Sequence, residues 1–409
     1  MRRTSWLATA APYLSLFESD LLDCSFYPPR KLLSLTAYTD LITNMKTSHL
    51  FLASLLPVTI LAGPITSFPG SEPAIESRTL DEQYAVAQNE TGELVVLWGG
   101  DALAQGAPTI AAWEARFPRI KLNLTVDVSK YHDSRVDRQF QVSGSDGADV
   151  AFLQTLQDFD RWKRQGRLLP YKPATWESIY PNVKDPDGSF MGAFMYQFGS
   201  MIYDTNLVNA TQVPTTFNEL LDPVWKNKLV LVYPNDDDAV GYLFSLIIDR
   251  YGWSWFESLV QQNVRWVRGT GTPAALLDAG NSTSALSFTT NLINSTHLAQ
   301  GSTSDPHVMW PQTGAIFATT QRPESAKLFM NWIMSDEYQS TVVAASGLPF
   351  ARTGVNATTS APNVWTDQSV ALTQFGKFEV NREVVEQWRF QFETTLGTAQ
   401  GPIPLALGI

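Results

Sequence analysis

The chain has 409 residues, 44% of them hydrophobic, with 40 acidic against 29 basic side chains and a formal net charge of −11. That negative excess speaks against nucleic acid or an anionic membrane surface as a partner and favours neutral or cationic ligands. A single cysteine, Cys24, excludes an intrachain disulfide framework and a zinc-cysteine site.

From Met45 the stretch MKTSHLFLASLLPVTILAG carries a lysine, an apolar run over 50–62 and small residues, the layout of a secretory signal peptide. The run is too short to cross a bilayer about 30 Å thick as a helix. Residues 45–62 are therefore expected to be a signal peptide. Because such a signal works at the start of a chain, residues 1–44 are expected to be a spurious N-terminal extension. A transit peptide there is disfavoured by Glu18, Asp20, Asp23 and Asp40. Without residues 1–62 no cysteine remains, and 24 basic side chains face 36 acidic ones, a net charge of −12. N-x-S/T sequons at Asn89, Asn123, Asn209, Asn281, Asn294 and Asn356 fit a secreted glycoprotein. Residues 63–92, rich in Pro, Ser and Glu without periodicity, read as a flexible leader.

Folded structure is expected from Glu93. An apolar run over 94–98 predicts a strand turned by Gly99 and Gly100, and Ile110, Trp113 and Phe117 form the stripe of a helix stopped by Pro118. In a strand over 120–126 the apolar residues alternate with Lys121, Asn123 and Thr125, which puts Asn123 on the outward face. A helix near 135–142, a strand over 150–153 and a helix over 156–165 with Gly166 as its cap complete a β-α-β-α-β-α run, the pattern of a parallel sheet covered by helices. Next come a strand over 199–203 ending at Asp204 and a helix capped by Thr215 or Thr216, with Leu220, Leu221 and Trp225 on its apolar face and Pro223 in its first turn. The continuous apolar run over 229–233 suits a strand buried on both faces. Val240, Leu243, Phe244, Ile247 and Ile248 predict an amphipathic helix over 239–251 closed by Gly252. Phe256, Leu259 and Val260 mark another helix, and strands over 264–267 and 284–288 flank a helix over 273–279. The chain then crosses back over 306–320. Helices start at Pro323 and Ser335, and a last helix over 381–396, N-capped by Asn381, aligns Val384, Trp388 and Phe392. About 345 residues exceed what one core usually holds, so two lobes are expected.

The order MIYDTNLV, then PTTFNELLDPVWKNKL from Pro214, then GAIFATTQRPESAKLFMNWIMSDEYQ over 314–339 resembles substrate-binding proteins of bacterial ABC importers. The similar branch is the type II periplasmic-binding one that handles ferric iron, thiamine, alkylphosphonates and polyamines, with the pieces in family order across residues 94–396. The resemblance implies an α/β, two-lobed type II periplasmic-binding-protein-like fold, with mixed sheets flanked by helices and a hinge. Lobe 1 would comprise 93–198 and 306–409 and lobe 2 would comprise 199–305, hinged near 199–204 and 306–314. It further implies a secreted, extracellular, monomeric solute-binding protein of the ABC-type transport class, closing on a small ligand without catalysis or cofactor; a membrane permease partner is left open. The alternative is a secreted hydrolase such as a carboxylate-dependent glycosidase, since carboxylates abound. Other enzyme motifs are incomplete: the sequence GSDG over 144–147 lacks the spacing of a serine nucleophile elbow, and GTGT over 269–272 lacks the lysine of a phosphate loop.

In open α/β sheets, ligands sit beyond the carboxyl ends of strands. That rule selects the loops 98–105, 154–155, 233–238 and 289–290, and with them the ligand-binding candidates Trp98, Asp101, Gln154, Asp236, Asp238, Thr289 and Thr290. Trp98 offers a ring for stacking, or is a core residue at a strand end. The acids 236–238 either meet a cationic ligand or cap a helix N-terminus. Iron-binding members of the resembled family present two adjacent tyrosines after the strand that corresponds to 284–288. Thr289 and Thr290 stand there instead, and their hydroxyls are poor ligands for a hard trivalent cation. His132, His297 and His307 show no metal-binding spacing. The expectation is a cleft without a metal, taking a neutral or cationic organic ligand.

Overall fold

The computed structural model describes residues 72–280, 283–356 and 374–407. The expected extension 1–44, the signal peptide 45–62, the start of the leader and Asn281 lie outside the described residues.

The stretch expected as a leader contains a helix, α1 (Leu80–Ala87), started by a capping box in which Thr79 and Glu82 satisfy each other's backbone N–H groups. Its Gln83 is fully buried and donates to the Tyr171 hydroxyl at 3.0 Å, which fastens the segment to the body. The run β1 (Leu94–Gly99), α2 (Ala107–Arg116), β2 (Leu122–Asp127), α3 (Ser129–Ser143), β3 (Val150–Leu153) and α4 (Leu156–Arg164) follows as the periodicity predicts. Asn123 is exposed on β2. Strands β4 (Leu168–Leu169) and β5 (Met191–Phe198) come next; β5 was not expected, since all eight of its residues are buried and no alternation marks it.

Beyond β5 lies β6 (Met201–Asp204). The helix expected after Thr216 is instead two 3-10 turns, Asn218–Leu221 and Pro223–Trp225. Asp222 between them is extended and caps the second turn through Val224 N–H at 2.9 Å, while Pro223 brings no N–H to continue the first. Then come β7 (Val230–Val232), α5 (Asp238–Tyr251), α6 (Trp253–Val260), β8 (Arg265–Val267), α7 (Thr272–Asp278), β9 (Leu286–Ser287) and β10 (Leu298–Gly301). The long β11 (Val308–Phe317) leads to α8 (Pro323–Ile333), α9 (Asp336–Tyr338), α10 (Gln374–Val380) and α11 (Arg382–Leu396).

The result is an α/β fold with mixed sheets flanked by helices. The main sheet runs β2-β1-β3-β11-β4, with β5 on β11; β1 pairs parallel with β2 and β3, and β11 pairs antiparallel with β3, β4 and β5. Trp113, Phe117, Phe329 and Trp332 pack in tilted and edge-to-face contacts beneath it. A second sheet runs β10-β6-β9, antiparallel, and β7 pairs parallel with β8. The two regions join at Phe198, paired with Val308, and at Gly199, whose φ of 111° and close approach to His307 leave no room for a Cβ. The last helix, expected with 306–409 beside the first sheet, lays Phe392 against Phe244 and Phe256 in the 199–305 region. Its partner α10 faces both ways, with Phe375 touching Tyr242 on α5 and Trp310 on β11.

Candidate functional site

A cavity of about 260 Å³ opens where the carboxyl ends of β1, β2 and β3 face those of β7 and β8. Gly99 ends β1 because Ser129 presses on it: a Cβ there would lie 2.1 Å from the serine oxygen. The chain then swings Asp101 across to the other region, where its Oδ2 accepts from the backbone N–H of Thr270 and Gly271 (3.1 Å) and from the Thr270 hydroxyl (2.9 Å). A second bridge runs beside it: Lys130 at the start of α3 donates to the Asp236 backbone oxygen (2.7 Å) and carboxylate (3.2 Å). Arg268 grips the same carboxylate with two N–H groups at 2.9 and 3.1 Å. Burial works to raise the pKa of Asp236, but the bonds from Arg268 and the nearby Lys130 outweigh it, so this carboxyl is held below its usual range.

Other cavity acids go the opposite way. Asp237 caps α5 by accepting from Val240 N–H at 3.0 Å. Its desolvation, with the Asp238 charge adding to it, pushes its pKa up to about 7. Burial and the facing Asp158 push Asp133 up to about 8. Glu379 on α10 is 3% exposed, and burial followed by the Asp238 charge raises it well above the usual carboxyl range. Asp238 itself pairs with Arg382 of α11 at 2.6 Å.

Of the seven sequence-derived candidates, Asp101, Gln154, Asp236 and Asp238 line the cavity. Gln154 is held by a bond from its backbone N–H to the Ser129 oxygen (3.0 Å) and accepts from the Trp310 ring N–H (3.2 Å). Trp98 does not line it. At 2% exposure it packs in the sheet core, its ring centroid 5.3 Å from Phe152 and 6.0 Å from Phe194, because its side chain points to the buried face of β1. Thr289 and Thr290 stand behind the wall: the Thr289 oxygen accepts from Val232 N–H (2.9 Å) and the Thr290 hydroxyl donates to the Thr270 carbonyl (2.6 Å), which joins β9 to its neighbours. Lys130 and Arg268, missed in the sequence, follow β2 and β8 and fall under the same strand-end rule applied to two further strands. Phe375, Glu379, Arg382 and Arg389 arrive from the C-terminal helices, and no local pattern announces them. Among the described residues no group of three or more His, Cys, Asp or Glu is placed to hold a metal ion.

Solved structures share this architecture. The chain is similar to the substrate-binding protein of an ABC transporter from Agrobacterium tumefaciens (TM-score 0.61, 14% identity, covering 74% of this chain and 94% of that one). It is also similar to AfuA from Actinobacillus pleuropneumoniae with fructose-6-phosphate bound (0.57, 15%, 76% and 100%) and to iron-bound HitA from Pseudomonas aeruginosa (0.56, 15%, 74% and 99%). The likeness identifies the fold as that of type II periplasmic binding proteins. No curated protein sequence matches the chain. The model of the bacterial extracellular solute-binding protein family matches residues 145–369, more than half of the chain. The chain therefore belongs to the bacterial extracellular solute-binding protein family, whose members bind and do not catalyse.

Proposed function

We propose that the protein is a secreted, monomeric binder of a small neutral or cationic organic solute, which it holds in the cavity between two lobes that close by a hinge. The carrying observation is that the cavity is lined from both regions and bridged by Asp101 to Thr270 and by Lys130 to Asp236. Lobe 1 is built on the main sheet and lobe 2 on 199–305, with α11 riding on lobe 2. The hinge lies at Gly199 and at the returning strand beside it near His307, with α10 as the further link that leads to α11. A ligand favours closure only through contacts to both lobes. The signal sequence at 45–62, the sequons and the family support secretion, and ABC-type delivery to a permease is the partnership the family suggests. No helix among the described residues is long and apolar enough to cross a membrane.

The ligand's charge is argued from the acids. Burial raises the pKa values of Asp133, Asp237 and Glu379 in the cavity, so a cationic group placed among them favours their ionised forms and gains their attraction. Ferric iron, bound by HitA, is the competing cargo. It is disfavoured here because the positions of the family's tyrosine pair hold Thr289 and Thr290, both committed to backbone bonds outside the cavity. Mass spectrometry of solutes released from the natural protein identifies the ligand, and small-angle scattering with that solute is expected to show compaction. An unchanged profile at saturation refutes the hinge. Tight ferric binding with tyrosinate colour refutes the organic ligand. Asp236→Asn removes the carboxylate that Lys130 and Arg268 hold, and is expected to weaken solute binding by loosening the bridge between the lobes, read by calorimetric titration.

A further inference from the structure

The N-terminal end of α4 opens into the cavity, and two observations there do not fit an ordinary helix start. Thr155 occupies the N-cap position, yet its hydroxyl makes no capping bond. The residue is 8% exposed, lines the cavity, and its Oγ1 has no hydrogen-bond partner among the described residues. A threonine at this position ordinarily turns its oxygen onto the free N–H groups of the first turn. The Leu156 N–H is instead taken at 2.9 Å by a carboxyl oxygen from more than two hundred residues away, Glu379 Oε2. The helix dipole and the free N–H groups make such an end suited to an oxyanion.

Glu379 is held there by the chain around it. Phe375 and Phe378, on the same short helix, pack on Tyr242 at 5.7 and 4.9 Å, and α10 passes beside the Leu156 side chain at Gly376. Arg382, one turn further on, pairs with the Asp238 carboxylate and meets Glu379 at its backbone carbonyl (3.4 Å). Burial and the Asp238 charge work against the ionised form of Glu379, so packing rather than charge attraction keeps it in place.

We propose that Glu379 is a selectivity determinant of the cleft: its carboxyl group fills the oxyanion-accepting end of α4, on the Leu156 N–H and beside the unpartnered Thr155 hydroxyl, and so excludes carboxylate and phosphate groups. The Thr155 hydroxyl remains for a neutral hydroxyl or an amine of the ligand. This deepens the solute-cleft reading and rests on it.

The test is calorimetric titration of inorganic phosphate into the full chain. Glu379→Ala is expected to bind phosphate at least about tenfold more tightly than the unaltered protein, the order of one charge-assisted hydrogen bond. Adding Thr155→Ala to it is expected to remove most of that gain. Glu379→Gln, whose amide oxygen still accepts from Leu156, is expected to behave as the unaltered protein. Equal phosphate binding by the unaltered protein and the alanine variant, or a cooperatively melting alanine variant without any gain, overturns the proposal. If the alanine variant does not melt cooperatively, Glu379→Ser decides, by the same gain or its absence. Solute-induced compaction without a phosphate gain removes the selectivity role alone; a phosphate gain without compaction by the natural solute leaves Glu379 as the occupant of the α4 end and removes the cleft reading.

Discussion

In the main sheet β11 runs ten residues and β5 eight, whereas in the 199–305 region β7 and β8 have three residues each and β9 two. The first region is held by long ladders over a Trp and Phe layer. The second is held by helices: Phe244 on α5 touches Trp255, Phe256, Trp266 and Phe288, and Phe392 of α11 closes the cluster. Strands so short contribute few ladder bonds, so the second region depends on aromatic burial, and part of that burial comes from the far end of the chain. The cleft therefore lies between a sheet-built wall and a wall completed by the C-terminal helices, which also carry Glu379 and Arg382 into it.

The sharpest way to break this comparison is Phe392→Ala. Emptying a fully buried ring site is expected to cost about 3–5 kcal/mol. In native-state hydrogen exchange the loss should appear in α5 and α6 and spare β1 and β3; equal loss in both regions would show that they do not differ as argued. Asp101→Asn comes next, because it weakens the bridge to Thr270 and Gly271. It is expected to lower stability by about 1–2 kcal/mol, below the full range for hydrogen bonds to charged groups since the site is partly exposed, and to enlarge the radius of gyration without ligand. Gly199→Ala forces a Cβ toward His307 at a φ of 111° and is expected to cost about 1–2 kcal/mol, read by thermal melting.

A further effect is a pH slope. Because the folded pKa of Asp237 lies at about 7, above its ordinary value, the folded protein holds an extra proton between roughly pH 4 and 7. This contribution to stability is full at the acid end and is lost as pH rises through 7. Asp133, raised to about 8, acts in the same sense. Glu76, held down to about 2 chiefly by its bond to Arg78, acts in the opposite sense, but only below about pH 4.5. Asp237→Asn keeps a capping side chain, so its melting temperature is expected to fall less between pH 5 and 7 than that of the unaltered protein. An identical slope would place the titration elsewhere.

Local pattern made much of the fold legible. The i, i+3, i+4 repeat from Val240 to Ile248 marks α5, and the apolar run ending at Leu153 marks β3, because an amphipathic stripe and a doubly buried strand leave their periods in the residues themselves. The strand-end rule reached Asp101, Gln154, Asp236 and Asp238 for the same reason: the loop after a strand is a neighbour in sequence. Other features had no local signature. β5 is buried along its whole length and so shows no alternation. The run from Thr216 to Trp225 carries a helix's caps and apolar stripe, but Asp222 and Pro223 break its hydrogen-bond ladder, leaving two short turns. Whether Trp98 faced ligand or core, and whether Thr289 and Thr290 lined the cleft or stood behind it, turned on which face of a strand met which neighbour. The placement of Glu379 on the Leu156 N–H joins residues 223 apart in sequence. The elements and the strand-end loops follow from spacing along the chain and so are written in the residues. Which charges meet across the cleft depends instead on distances that the chain closes only through its whole fold.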